Sequence, residues 1–256
     1  MSEPSAEPMF LASALFARHG ATGVFSLRHG GVSDAPFDTL NLGYGLGDAD
    51  ARVDANLRRF VDAAGVPWPH TARQCHGTTV LRCHGPGRAH EAEADILLSD
   101  DPGTAVGIRV ADCVPMLLAD PRHRRLAAVH AGWRGTAARA ARHAVRAMQA
   151  LGSRPGELLA VVGPAIGPCC YAVGDDTARE LGDPHPPEAF RRTDGVIHAD
   201  LALLNIGQLA ACGIPEASIE HLNACTACHP DRLFSHRRDH GRTGRHLAVA
   251  AWAPAT

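Results

Sequence analysis

Five short apolar runs follow one another between residues 79 and 130: Thr79–Cys83, Asp95–Leu98, Ala105–Val110, Val114–Ala119 and Leu126–His130. Each is bounded by Gly, Pro or Asp and is shorter than a typical buried helix, so strands are what these segments form. Gly23–Arg28, Leu158–Val162 and His246–Trp252 read as further strands, the first stopped by a turn at His29–Ser33. Helical spacing covers Asp50–Ala64, with Val53, Leu57, Phe60 and Val61 on one face and Gly65 and Pro67 after the end. It also covers Thr136–Leu151, with Thr136 as N-cap, an Ala137, Ala140, Ala141, Ala144, Val145, Met148 face and Gly152 beyond. A third helix spans Asp200–Cys212 and closes at Gly213, while Asp183–Pro187 reads as a Pro-rich surface loop. With no repeat or low-complexity linker, the chain is expected to form a lead-in over residues 1–20 and one mixed α/β domain over 21–256.

Charge and composition narrow the function. The formal net charge is −2 over 256 residues. That balance argues against a nucleic-acid or membrane-surface binder, which would carry a basic face. All the cationic side chains other than His are Arg, which rules out a Schiff-base or P-loop lysine. The 8 Cys do not form the dense framework of a small secreted domain. The apolar run Met9–Ala17 follows Glu3 and Glu7 rather than a positive segment, so it reads as the first folded segment and not an export signal. No run approaches the roughly 18 apolar residues of a membrane span. Reduced thiols, a cytoplasmic location, and a monomer or weak homo-oligomer are expected.

Three segments join a strand end, a metal-ligand side chain and a turn: Gln74-Cys75-His76-Gly77, Ala111-Asp112-Cys113-Val114-Pro115 and Val129-His130-Ala131-Gly132-Trp133-Arg134-Gly135-Thr136. Polar groups inside apolar runs are costly unless paired or coordinated. His76, Cys113 and His130 would make a three-ligand zinc set with a fourth position for water or substrate, and Asp112 a neighbouring proton acceptor. The ordinary alternatives are a hydrogen-bonded core histidine and an inert buried thiol. The helix start after Gly132, with Arg134, is a candidate anion pocket, against an ordinary strand-to-helix turn. Gly163–Tyr171 is a tightly shaped loop, and cations gather at Ser235-His236-Arg237-Arg238-Asp239 and Thr243-Gly244-Arg245. Cys225-x-x-Cys228 lacks a second C-x-x-C and reads as half a zinc site.

The order of these motifs, from Arg28-x-Gly-Gly-Val-Ser33 and Asn41-Leu42-Gly43 to Ser-x-Arg-Arg-Asp and Thr-Gly-Arg near the end, closely resembles the laccase-domain family. Its members carry the names polyphenol oxidoreductase, purine nucleoside phosphorylase and peptidoglycan editing factor. The resemblance runs from about residue 20 to the C-terminus. It implies a four-layer α/β/β/α sandwich with mixed sheets and a zinc held by His76, Cys113 and His130. It further implies phosphorolysis of adenosine, inosine and 5′-methylthioadenosine, together with deamination of adenosine. Cys75 and His236 depart from the family pattern, standing where an apolar residue and a tyrosine are usual. Phosphate is assigned to Arg28, Arg134, Arg237 and Arg238. Two other readings stay open: a copper oxidase with Met116 as axial ligand, and a Cys–His hydrolase acting on a peptidoglycan precursor.

Overall fold

Strands without a polar face must be covered on both sides, and the chain supplies that cover in four layers. The computed structural model describes residues 8–182 and 187–253. The Pro-rich loop expected at Asp183–Pro187 falls outside them save for its last residue. In chain order the elements are β1 (Phe10–Ala12), α1 (Ala14–Arg18), β2 (Ala21–Ser26), α2 (Asp50–Ala64), β3 (Pro69–Arg73), β4 (Val80–Arg82) and β5 (Ala89–Glu93). Next come β6 (Ile96–Ser99), β7 (Ala105–Val110), β8 (Val114–Asp120), β9 (Arg125–Ala131), α3 (Trp133–Ala137) and α4 (Ala140–Ala150). The remainder holds β10 (Leu159–Val162), β11 (Ala172–Val173), α5 (Asp175–Leu181), β12 (Phe190–Thr193), β13 (Val196–Ala199), α6 (Leu201–Ala211), β14 (Ile219–His221) and β15 (His246–Trp252).

One six-stranded sheet runs β1-β2-β15-β7-β3-β5, a second runs β14-β10-β8-β9-β6-β4, and β11-β13-β12 form a small third sheet. Both large sheets are mixed. β15 is antiparallel to β2 and β7, whereas β3 is parallel to β7 and β5. In the second sheet β8 is antiparallel to β9 and β10, whereas β4 is parallel to β6. Side chains alternate between two cores. Leu247, Val249 and Ala251 of β15 pack with Leu57, Phe60 and Val61 of α2, while Ala248 and Ala250 meet Leu117, Ala128 and Val161 of the other sheet. Val114, Met116 and Leu118 of β8 turn outward against α4 and α6. The layers are therefore α2, sheet, sheet, and α4 with α6: a single-domain α/β/β/α sandwich. Each large side chain fully buried in these interfaces contributes about 1.5–3 kcal/mol. Among the described residues no helix is long and apolar enough to cross a membrane.

α2 occupies the expected range and ends where Gly65 takes φ 62, a left-handed conformation that glycine adopts without a Cβ penalty. β2 lies two residues nearer the N-terminus than its apolar run suggests, since Leu27 and Arg28 already turn away. The helix expected over Thr136–Leu151 is instead two helices, α3 and α4, broken where Arg139 adopts φ 61. Thr136 is not a cap. It is buried inside α3, its Oγ1 accepting from Asn205 Nδ2 and its carbonyl from Gln208 Nε2, each at 2.8 Å. These bonds tie α3 to α6 just ahead of the break at Arg139.

Candidate metal centre

Strand pairing starts the site. His130 sits opposite Pro115 in the β8–β9 ladder, which brings it beside Cys113 at the entry to β8. Asp95, just before β6, completes it. Its fully buried carboxylate accepts from the backbone N–H groups of Cys75 (3.1 Å), His76 (3.0 Å) and Gly77 (2.8 Å) and from His130 Nδ1 (2.7 Å). One side chain thus folds the His76 loop over the end of β9. Those bonds also hold His76 at φ 61, a region non-glycine residues rarely occupy. An ionised carboxylate only accepts, so His130 Nδ1 carries a proton and Nε2, once deprotonated, is the nitrogen that can bind a metal.

His76, Cys113 and His130 each present a donor atom within 4.8 Å of the others. The two rings lie 4.8 Å apart at 62°. His130 is buried, Cys113 half-buried and His76 exposed, so the group is anchored on one side and open on the other. Gly132 leaves the space: a Cβ there would fall 2.8 Å from His76 Nδ1 and 2.9 Å from Cys113 Sγ. The charges of Cys113 and His130 are tied to each other. Burial opposes ionisation of the Cys113 thiol, but the adjacent His130 and His76 override it and bring the thiol down to about 6. Burial likewise disfavours imidazolium at His130, and Cys113 and Asp95 together reverse that, raising it to about 9. A thiolate, a tautomer-fixed imidazole and a second imidazole suit a divalent metal such as zinc.

The trio opens into a cleft of ≈ 680 Å³ whose wall includes Tyr44, Gln74, Arg109, His236 and Arg245. Arg245 lies within electrostatic reach of Cys113 and Asp112. Arg109 stands beside the Tyr44 ring, 5.2 Å from its centroid, and its Nε donates to Leu42 O at 2.6 Å. A second cleft of ≈ 660 Å³ between α4 and α6 is lined by Arg139, Arg142 and Arg146 but includes none of the trio.

The other residues singled out from the sequence fall in several places. Asp112 does not line the cleft. Its carboxylate accepts from Thr226 Oγ1 (2.5 Å) and Arg237 N (2.6 Å), so it positions the loop before Cys113 rather than facing substrate. Arg28 is also outside the cleft wall, its guanidinium bonded to Asp38 and Pro230 O and lying over the Phe234 ring. Arg238 is clamped by Asp239, Thr226 O and Leu233 O. Arg134 and Arg237 are exposed and converge near Tyr171, whose phenol burial pushes up, Cys113 pushes further, and both arginines oppose. Met116 is fully buried on the α4 side of β8, whereas Cys113 packs toward the inter-sheet core, so no methionine ligand reaches the trio from there. Asp95 and Arg109 have no assigned role in the sequence reading, and Gln74 enters it only as the first residue of the Gln74-Cys75-His76-Gly77 segment. Arg109, a lone cation in an apolar strand, was the available signal.

The profile of the family described as "Multi-copper polyphenol oxidoreductase laccase" matches residues 22–253. The chain belongs to this family. It is 36% identical over 244 residues to "Purine nucleoside phosphorylase YlmD" of Geobacillus stearothermophilus, covering 90% of this chain and 89% of the relative. It is 40% identical over 245 residues to a "Purine nucleoside phosphorylase" of Xylella fastidiosa, covering 91% and 92%. The crystal structure of YlmD from Geobacillus stearothermophilus superposes with a TM-score of 0.87 at 33% identity, covering 97% of this chain and 98% of that one. Protein NMB0706 of Neisseria meningitidis superposes at 0.83 with 30% identity, covering 96% and 99%. The family description points to metal binding, which the donor set accommodates.

Proposed function

We propose that the chain is a zinc-dependent purine nucleoside phosphorylase that cleaves adenosine, inosine and 5′-methylthioadenosine with phosphate, and that the same centre deaminates adenosine. The observation that carries this reading is the convergence of His76, Cys113 and His130, with His130 oriented by Asp95, in a cleft that also holds cations. The names of the relatives support the same activity. Zinc held by the trio would supply a Lewis acid for a purine leaving group or an attacking water.

The protein groups divide the remaining work. The cleft volume lies within the range of small-molecule sites, about 300–1,000 Å³. Tyr44 gives it aromatic surface for a base. Arg245, which lines the cleft while its guanidinium also bonds Thr243 O and Gly244 O, is the assigned phosphate cation, with Arg134 and Arg237 near Tyr171. Arg28 and Arg238 hold loops instead. Asp95 holds the His130 proton on Nδ1, so Nε2 is the nitrogen that would meet a metal.

The Cys113–His130 pair also favours one second reading, a Cys–His hydrolase with Cys113 as nucleophile. Its activity would survive chelators and be lost on alkylation. Incubating the zinc-loaded protein with adenosine, with and without phosphate, distinguishes the reactions. Adenine and ribose 1-phosphate appearing only with phosphate support phosphorolysis, and inosine formed without phosphate marks deamination. No conversion of any purine nucleoside, with His76→Ala indistinguishable from the unmodified chain, would overturn the proposal.

A further inference from the structure

Cys225-x-x-Cys228 finds its missing half 55 to 59 residues earlier in the chain. The loop after β10 carries Cys169 and Cys170 to it, and one sulfur from each of the four cysteines lies within 4.8 Å of the others. Cys228 Sγ is 3.4 Å from both Cys169 Sγ and Cys170 Sγ, and all are free thiols. A tetrahedral zinc with Zn–S of about 2.3 Å spaces its thiolates about 3.8 Å apart, within the span observed here. The two loops are already joined by an Ala165–Cys225 bridge and by Thr226 N donating to Ala165 O at 3.0 Å. Gly167 N donates to Cys225 Sγ at 3.2 Å, the kind of contact that stabilises a thiolate. A Cβ at Gly167 would lie 3.3 Å from Cys169 Sγ, so glycine lets the sulfurs gather.

Contrast the other His/Cys group, His70, Cys83 and His90. There His70 is satisfied on both nitrogens, by His90 at 2.8 Å and Gly85 O at 3.2 Å, and needs no metal. The four cysteine sulfurs instead meet chiefly one another, with Gly167 N as a further contact of Cys225.

We propose that Cys169, Cys170, Cys225 and Cys228 form a tetrathiolate zinc site that clasps the 163–171 loop to the 223–229 segment. The clasp has a structural consequence at the trio. Thr226, next to Cys225, donates to Asp112, and Asp112 O accepts from Ile166 N at 2.9 Å. Both clasped loops therefore hold the residue before Cys113, which sits at φ 85. Closely spaced tetrahedral S₄ donors select zinc or a single iron, whereas an iron–sulfur cluster spreads its thiolates over separate irons.

The test measures bound metal after zinc loading and desalting of the full chain. His76→Ala/Cys113→Ser removes the trio and is expected to retain one zinc per chain, which makes the result independent of the proposed catalysis. Adding Cys225→Ser/Cys228→Ser to that variant should abolish the remaining zinc. Reconstitution of His76→Ala/Cys113→Ser with cobalt(II) should give intense thiolate-to-cobalt charge transfer and tetrahedral d–d bands. A chelator should lower the thermal midpoint of the same protein. Should the Cys225/Cys228 substitutions prevent folding, Cys169→Ser provides the same comparison with a milder change. Absence of metal in His76→Ala/Cys113→Ser, iron in place of zinc, or a Cys169–Cys228 disulfide in freshly isolated protein would overturn the proposal.

Discussion

At the scale of single residues, two positions outside the ligand set, Gly132 and Asp95, shape the centre. Gly132 is needed for space, since a methyl group would meet His76 and Cys113 below 3 Å. Gly132→Ala is expected to leave the chain folded with an overpacking cost of about 1–3 kcal/mol, while metal content and nucleoside turnover fall sharply. Metal analysis beside circular dichroism checks this, and a variant with full metal would show that the ring and thiol can move apart freely. Asp95 acts through hydrogen bonds to three backbone N–H groups and His130. In Asp95→Asn the amide can satisfy only part of that set, so metal affinity should fall about 10–100-fold. A competition titration against a chromophoric chelator reads it, and unchanged affinity would remove Asp95 from the centre. None of this was legible in the sequence, because the partners of Asp95 lie about 20 and 35 positions away. Of the trio, Cys113 and His130 were the more visible, interrupting or ending an apolar run, whereas His76 stands only in the Gln74-Cys75-His76-Gly77 segment.

Among the elements, β15 carries an unusual titratable group. His246 at its start is buried, accepts from Phe234 N at 2.7 Å, and is lowered to about 3 by burial and then by Arg28. It stays neutral in the fold while the unfolded chain takes up a proton below the ordinary value near 6.5. Its contribution is therefore complete above about pH 6.5 and is lost as pH falls toward 3, by up to about 1.4 kcal/mol per pH unit. Between pH 7 and pH 5 the unmodified chain should lose about 2 kcal/mol more stability than His246→Gln. Equal losses in urea unfolding would assign the acid sensitivity elsewhere. Element reading from sequence succeeded where a run was long or fully apolar, as in α2, β7, β8, β9 and β15. It failed for β5, an exposed edge strand of sequence AHEAE whose pattern is set by its neighbour β3. The α3–α4 break was hidden for a similar reason: it depends on Asn205 and Gln208 of α6.

For the molecule as a whole, the sandwich depends on the contact between its two large sheets. Leu117 is fully buried between them. Leu117→Ala should cost about 2–5 kcal/mol in denaturant unfolding, and a loss below 1 kcal/mol would mean that the inter-sheet core collapses around the gap. That core and the helices outside it explain why β8, β10 and β15 are buried on both faces and why their runs were so readable. What the sequence could not display was convergence: the trio spans residues 76 to 130, and the four-cysteine group spans 169 to 228. Both are products of the way β8, β9 and β10 lie side by side. The trio is proposed to serve phosphate-dependent cleavage of purine nucleosides. Its most direct test is the rate of ribose 1-phosphate formation from adenosine by the zinc-loaded chain and by His76→Ala at equal folded concentration. Formation only in the presence of phosphate, and its loss in the variant, is expected. Equal rates in the two proteins, or no ribose 1-phosphate from either, would contradict the claim.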